Sequence, residues 1–468
     1  MTGCHGGGEG SIIGGMQSFD VVVVGAGPGG EVAAGKLAEA GLSVAIVEGD
    51  KVGGECSFYA CIPSKALLRP GELLEEVRHV PGAAEAVSGG LDVAAVLRRR
   101  DELIGNLDDA GQVPWLTDRG VTLVRGWGRL VGERQVAVGD EVLEARRAVI
   151  LAGGTRAALP DIEGIEAVAP WTNREATTAQ QVPGSLIIVG AGVVGSEMAQ
   201  AYVSLGARVT LVAGRRVLPK EEDFAGEQVA ARLTEQGVDV RLGHRPTSAR
   251  RDADGVTVTL GDGSTVTADE LLVATGRTPQ AVDLGLEAVG GKPDGYVEVD
   301  DHMRVPGQDW LYVIGDLNGR ALFTHMAKYQ AAIAAGEILG KPMVADHLAD
   351  GPNSPRVIFT SPQVAAVGHT TASAEQAGLR VRVVEVGTEA NAGGSYSGGG
   401  VGTARFLVDE QRDTLVGVTI TGTAVAEFLQ AATIAIVGEV PLTRLRHAIP
   451  SFPTRSELWL YFFNELGI

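Results

Sequence analysis

Cys56 and Cys61 stand five residues apart in GGECSFYACIPSKALLRP, at the entry of an apolar segment that reads as a helix broken at first by Pro63. Two thiols at that spacing can cycle between a dithiol and a disulfide, carrying two electrons. A thiolate near a helix N-terminus is stabilised by the helix dipole, which lowers its pKa and makes it an attacking species. Burial as inert structural cysteine is the common alternative. Redox use is favoured because these two thiols share one short window directly after a nucleotide-binding pattern. Cys4, in TGCHGG, has no second cysteine beside it and is read as a solvated thiol without a role.

A dithiol needs an electron source, and the surrounding elements supply two candidate holders. DVVVVGAGPGGEVAAGKLAEAGLSVAIVEGD runs from an apolar strand through Gly25, Gly27 and Gly30 into a helix, then to a second strand ending at Glu48. SLIIVGAGVVGSEMAQAYVSLGARVTLVAGRR repeats that order with Gly190, Gly192 and Gly195. In such a loop the first glycine makes the tight turn. The second lets backbone approach a pyrophosphate, and the third lets helix pack on strand. The helix N-terminus then offers free N–H groups to the phosphates. Two copies imply hydride relay between two dinucleotides, one held and one exchanged.

The ends of the second strands differ. The first ends on Glu48, an acid suited to ribose hydroxyls. The other ends on Ala213, followed by Gly214, Arg215 and Arg216. No carboxylate and two guanidiniums favour a 2′-phosphate, hence NADPH, with NADH as the alternative.

LAGGTR (Leu151 to Arg156) and LVATGRTP (Leu272 to Pro279) read as strand-to-glycine crossovers between domains. YVIGDLNGRALFTHMAKYQAAIAAGEIL reads as a strand ending near Asp316, a loop and a helix. From about Pro352 the pattern turns to RVIFT, VAAVGH, RVRVVEV, ARFLVDE and LVGVTIT, then the helix AEFLQAATIAIV. The expected fold is α/β, with two Rossmann-like dinucleotide domains and a C-terminal α+β domain. The expected boundaries are a flexible Gly-rich extension over 1–17, one nucleotide domain over 18–155 and 275–350, the other over 156–274, and the last domain over 351–468. Met16 is read as the start of the fold.

The 468 residues carry a net charge of −19, which argues against nucleic acid or an anionic membrane as partner. No apolar run long enough to span a membrane is present. The N-terminus lacks the basic and apolar regions of a signal peptide, and three cysteines cannot build a secreted disulfide scaffold. The cytoplasm is the expected compartment, and no metal site is expected.

GGxCxxxxCxPSK, the two glycine loops and the C-terminal FPTRSE together resemble the class I flavin disulfide reductases, the family of dihydrolipoamide dehydrogenase, glutathione reductase and mercuric reductase. The resemblance runs from about Ser18 to the C-terminus. It implies FAD on Gly25, Gly27, Gly30 and Glu48, with Asp316, Thr324 and His325 completing the site. Glu55, Gly128 and Gly153 are further cofactor positions it implies. A nicotinamide nucleotide is implied on Gly190, Gly192, Val194 and Gly195, with Arg215, Arg216 and Gly276. Cys61 matches the thiol beside the flavin, and Cys56 the thiol that meets substrate. Lys65 matches a lysine near flavin N5, and Glu197 its carboxylate partner. The last domain is implied to form a homodimer and to lend residues to the partner's site.

One position departs from the family. Its pattern His-Pro-Thr-x-Ser-Glu holds the proton-carrying histidine and an orienting acid, but here Phe452 replaces the histidine while Glu457 stays. His447 lies five residues upstream and reads as an ordinary loop histidine. A positioned acid–base contributes ~10²–10⁴-fold, so dithiol–disulfide turnover is expected to be impaired. Without an imidazolium, the pKa of the Cys56 thiol is expected to rise. The expected activity passes electrons from NADPH through FAD to Cys56–Cys61, then to a small disulfide or other electrophile. Three alternatives stay open: ordinary dihydrolipoamide dehydrogenase activity, a non-catalytic flavoprotein subunit, and a reductive carboxylase or thioether-cleaving enzyme. The last resembles 2-ketopropyl-coenzyme M oxidoreductase/carboxylase, which also carries the phenylalanine but lacks the glutamate.

Overall fold

Continuous apolar runs such as Val21–Val24 and Leu186–Val189 have no polar face to offer water, so they must lie in sheets covered on both sides. The computed structural model, which describes residues 11–13, 16–389 and 391–468, builds its sheets in that way. Cys4 and most of the expected N-terminal extension lie outside the described residues. The chain divides into two compact units: Met1–Ile62, Ile104–Arg156 and Arg277–Asp346 form one, and Pro63–Leu103, Ala157–Gly276 and His347–Ile468 the other.

In the first unit, Met16–Val24 is central and pairs in parallel with Val44–Glu48 and with Glu141–Leu151. Thr122–Arg125 extends the sheet beyond Val44–Glu48, and Leu311–Val313 joins Glu141–Leu151, both in parallel. Gln135–Val138 and Gly128–Gly132 add an antiparallel edge. Helices Pro28–Glu39 and Thr324–Ile338 cover one face, where Ala33, Ala34 and Leu37 meet Ala331, Ile333 and Ala334 in a fully buried cluster. Gly29 sits at their crossing, where an added Cβ would lie 3.2 Å from Ala327 Cβ.

The second unit holds the other glycine loop. Ser185–Val189 pairs in parallel with Arg208–Val212 and Glu270–Val273, and Asp239–Arg241 flanks Arg208–Val212. An antiparallel ribbon of Pro246–Asp252, Gly255–Leu260 and Thr265–Ala268 follows. Beyond His347 a five-stranded antiparallel sheet runs in the order Arg356–Ile358, Gln363–Gly368, Thr414–Gly422, Thr403–Asp409, Val381–Gly387. Helix Leu458–Leu466 belongs to the core of that sheet, with Phe462 stacked 4.3 Å from Phe406. Two nucleotide-type sheets and a C-terminal α+β region are the architecture expected from the sequence. Among the described residues no helix is long and apolar enough to cross a membrane.

Candidate active site

The cysteines are placed by glycines. Gly53 and Gly54 adopt φ of +103° and +59°, a region that side chains with a Cβ rarely enter. A Cβ on Gly54 would lie 3.0 Å from Gly27 Cα, and Gly53 N donates to Ala26 O at 2.8 Å. The cysteine segment is thus fastened onto the first glycine loop. Cys56 lies in a short helix, Gly54–Phe58, and Cys61 opens the helix Cys61–Arg78. Pro63 does not break that helix: it occupies the first turn, where a missing N–H costs nothing.

Both thiols are half-buried. The Cys56 pKa is pushed up, first by its hydrogen bond to Cys61, then by burial and by the charge of Cys61. The rise expected without an imidazolium therefore has causes inside the first unit. Opposing it are the Thr324 hydroxyl and Lys328. Thr324 Oγ1 lies 3.4 Å from Cys61 Sγ, and Lys328 follows one helical turn later on the same face. His325, the other residue expected there, is exposed and stacks on Phe323.

The first loop fits a dinucleotide. Gly25 turns at φ +103°, where a Cβ would sit 2.5 Å from Ala152 O; a Cβ on Gly30 would meet Gly25 O at 1.9 Å. Gly27 faces open space at the helix N-terminus, so only backbone fronts a phosphate there. Glu48 accepts from Ala26 N (2.6 Å) and Asp50 N (2.7 Å). Burial outweighs those two bonds and holds its carboxyl above the usual range. Gly128 is pressed against Val24 and Val47, whereas Gly153 has only ordinary contacts. Asp316 accepts from Thr155 Oγ1 at 2.7 Å, with its pKa raised by burial.

Arg277 ties this end together, donating to Thr155 Oγ1 (2.6 Å) and Thr155 O (2.7 Å) and lying 3.5 Å from Glu55. In the sequence Arg277 stands inside LVATGRTP and signals only a crossover turn. Glu31, next after Gly30, gives no site signal there either. Burial raises the Glu31 carboxyl to about 7, against the pull of Lys328.

In the second unit Gly190 and Gly195 repeat the same geometry, and Gly192 again faces open space. Val193 and Val194 are exposed at the helix start, and Gly276 has φ +151° with nothing near it. Ala213 is buried and Arg215 exposed. Arg216 is engaged by Pro219 O, Glu221 O and Asp223 within its own loop. Lys65 Nζ meets Glu197 Oε2 at 2.8 Å, and the other oxygen of Glu197 accepts from Phe359 N at 3.0 Å. The Lys65 ammonium also lies 4.8 Å from the centroid of the Phe359 ring. The two residues expected to pair do so, and Glu197 is buried.

Phe452 is 75% exposed, whereas Glu457 is buried, and its Oε2 has no hydrogen-bond partner among the described residues. Beside them Arg455 Nη1 donates to Glu389 at 2.6 Å. His447 is exposed.

This combination of two glycine cradles and a fastened dithiol defines a flavoprotein redox class, and comparison with known proteins agrees. The pyridine nucleotide-disulphide oxidoreductase family matches residues 19–336, and the dimerisation domain of that name matches residues 354–461. Dihydrolipoyl dehydrogenase of Cupriavidus necator is 32% identical over 469 residues, covering 94% of this chain and 96% of the relative. The Thermus scotoductus enzyme of that name is also 32% identical, with the same coverage of each chain, 94% and 96%. LpdA from Mycobacterium tuberculosis superposes with a TM-score of 0.84 at 25% identity, over 95% of this chain and 99% of the other. The HOCl-induced flavoprotein disulfide reductase RclA from Escherichia coli shares the fold, with a TM-score of 0.84 at 23% identity over 96% and 99%. The chain belongs to the pyridine nucleotide-disulphide oxidoreductase family. It is a flavin-dependent oxidoreductase of that class, in which FAD and a pyridine nucleotide are the usual cofactors.

Proposed function

We propose that this enzyme takes electrons from NADPH, through FAD, to the Cys56–Cys61 pair and on to a small disulfide or similar electrophile, as a homodimer. The observation that carries the reading is the Cys56–Cys61 pair on a segment that Gly53 and Gly54 fasten to the first glycine loop. When bound, FAD supplies the two-electron link between nicotinamide and sulfur. Gly25, Gly27, Gly30 and Glu48 would hold it, with Asp316 and Arg277 at the other end. Lys65, fixed on Glu197, is assigned the positive charge that stabilises reduced flavin.

The thiols do the rest. Cys56, as thiolate, attacks one sulfur of RS–SR; that bond breaks and RS⁻ leaves, taking a proton from water. Cys61 then attacks the Cys56 sulfur, a second RS⁻ departs, and the enzyme disulfide closes. Two electrons and two protons have left the dithiol, giving two RSH. Removing the Cys56 proton is the step the family assigns to histidine. Here Thr324 and Lys328 are the groups that favour its thiolate, and Phe452 offers no proton.

NADPH is preferred because Ala213 leaves room where an acid would repel a 2′-phosphate, and Arg215 is exposed beside it. The homodimer reading is supported by the dimerisation-domain match and by the exposed Phe452 and Ile449, which a second copy would cover. The deciding experiment is anaerobic NADPH reduction of the holoenzyme, watching for the long-wavelength thiolate-to-flavin band. Turnover follows with dihydrolipoamide, small disulfides, and thioether ketones with bicarbonate. The band should appear in wild type and vanish in Cys61→Ser, and Cys56→Ser should lose disulfide turnover. Undiminished turnover in both serine variants would overturn the reading. Product that depends on bicarbonate would replace it with the reductive carboxylase.

A further inference from the structure

Trp127 is 74% exposed, the most exposed of the chain's tryptophans, in a position its neighbours have been shaped to permit. Strand Val44–Glu48 pairs with Thr122–Arg125 so that Glu48 lies opposite Arg125. Gly126 N then donates to Glu48 O at 2.9 Å, which carries the next residue, Trp127, alongside Gly49. A Cβ on Gly49 would come within 2.4, 2.6 and 2.7 Å of Trp127 Cδ2, Cε2 and Cε3. Those three atoms surround one edge of the benzenoid ring, so the face of the indole rests on the Gly49 backbone and only glycine fits beneath it. Gly126 is equally constrained: its φ is +142°, and a Cβ there would lie 2.6 Å from Val138 Cγ1.

A large aromatic face is thus held in place and left wet, which is unfavourable unless something covers it. The direction of the dinucleotide says what would. A pyrophosphate at Gly27 and ribose hydroxyls at Glu48 fix a line from the helix N-terminus to the strand end. A base at the end of that line would lie beyond Glu48, on the side where Trp127 meets Gly49. Trp127 offers a flat side chain there.

We propose that Trp127 stacks on the adenine of FAD and is the main side-chain contact to that base. The inference rests on the FAD reading above and adds a residue to it. Stacking of a base on an aromatic ring costs about tenfold or more in affinity when the ring is removed.

The test is equilibrium FAD binding to apoprotein prepared from wild type, Trp127→Ala and Trp127→Phe, with apoprotein melting temperature measured in parallel. Trp127→Ala should raise the FAD Kd about tenfold or more, Trp127→Phe should recover most of the loss, and the three melting temperatures should agree. Equal Kd values for wild type and Trp127→Ala would overturn the stacking role while leaving the FAD reading intact. A weaker Kd accompanied by a lower apoprotein melting temperature would also overturn it, since the ring would then be structural. Wild type that takes up no FAD would remove both readings together.

Discussion

The two glycine loops are nearly the same object in backbone and different in what hangs from it. Gly25 and Gly190 turn at φ +103° and +105°, and a Cβ on either would meet a carbonyl oxygen, Ala152 O or Ala274 O, at 2.5 Å. A Cβ on Gly30 or Gly195 would strike the opening glycine's carbonyl at 1.9 or 1.8 Å. Each loop opens a helix of 12 residues. Beyond that, the residue after the third glycine is Glu31 in one and Ser196 in the other. The partner strand ends on Glu48 in one and on Ala213 in the other. One carboxylate, Glu197, appears a single position later on the second helix, about 100° further round, and reaches Lys65 instead. Backbone makes both loops cradles for pyrophosphate. That one is kept and the other exchanged is a proposal resting on the side chains around them.

The strongest way to separate them is to damage both identically. Gly30→Ala and Gly195→Ala each force a methyl into a carbonyl, a clash of roughly 1–3 kcal/mol or more that backbone movement must relieve. Gly30→Ala should leave a largely colourless protein on purification, with FAD content down by most of its value. Gly195→Ala should stay yellow but lose flavin reduction by NADPH at least about tenfold, read by stopped-flow absorbance. If both variants lose colour, the second loop is not an exchangeable nicotinamide site.

Next in size is the nucleotide preference written at the strand ends. Arg215→Ala should raise KM for NADPH about tenfold, the scale of one charge-assisted contact, with KM for NADH little changed. Arg216→Ala should do less, because that guanidinium is already spent on Pro219 O, Glu221 O and Asp223. Ala213→Glu should shift preference toward NADH by placing an acid where Glu48 stands in the first loop. Steady-state kinetics with both coenzymes reads all three, and an NADPH KM indifferent to Arg215 would end the case for a 2′-phosphate.

A smaller effect is expected of Phe452→His. Restoring an imidazole should raise disulfide turnover by less than about tenfold, short of the ~10²–10⁴-fold of a fully positioned base, because position 452 is exposed in this chain, and it should not alter the flavin spectrum. If turnover stays flat, the missing base does not limit the rate.

The loops, the cysteine pair and the five C-terminal strands were legible because their signals are local: a spacing, a run of apolar residues, an alternation. The Lys65–Glu197 pair was legible only through family resemblance, since 132 residues separate its halves. Arg277, Thr155 and Lys328 were not legible as site residues. Each acts on a group from another stretch of chain, and a single arginine in a turn looks like a solvated charge until that group is seen beside it. Arg216 failed in the opposite sense: the sequence shows a free guanidinium, and the fold occupies it. Trp127 carries no periodic signal, because what matters is the glycine across the sheet that lets it lie flat.

The subtlest difference between the loops should appear in the pH dependence of stability. Glu31 is raised from its ordinary 4.5 to about 7, chiefly by burial, with Lys328 opposing and Glu48 adding. A carboxyl whose folded pKa lies above its unfolded value binds its proton more tightly in the native state. Its contribution to stability is therefore fullest below about pH 4.5 and is lost as pH rises toward about 7, then stays flat. Apoprotein melting temperatures taken between pH 5 and 8, roughly that window, should fall with pH in wild type and fall less in Glu31→Gln. Ser196, which fills the matching place in the second loop, does not titrate there, so Ser196→Ala should keep the wild-type slope. Equal slopes in wild type and Glu31→Gln would mean that this carboxyl is ionised as it would be in water. The first loop would then differ from the second only at Glu48 and beyond.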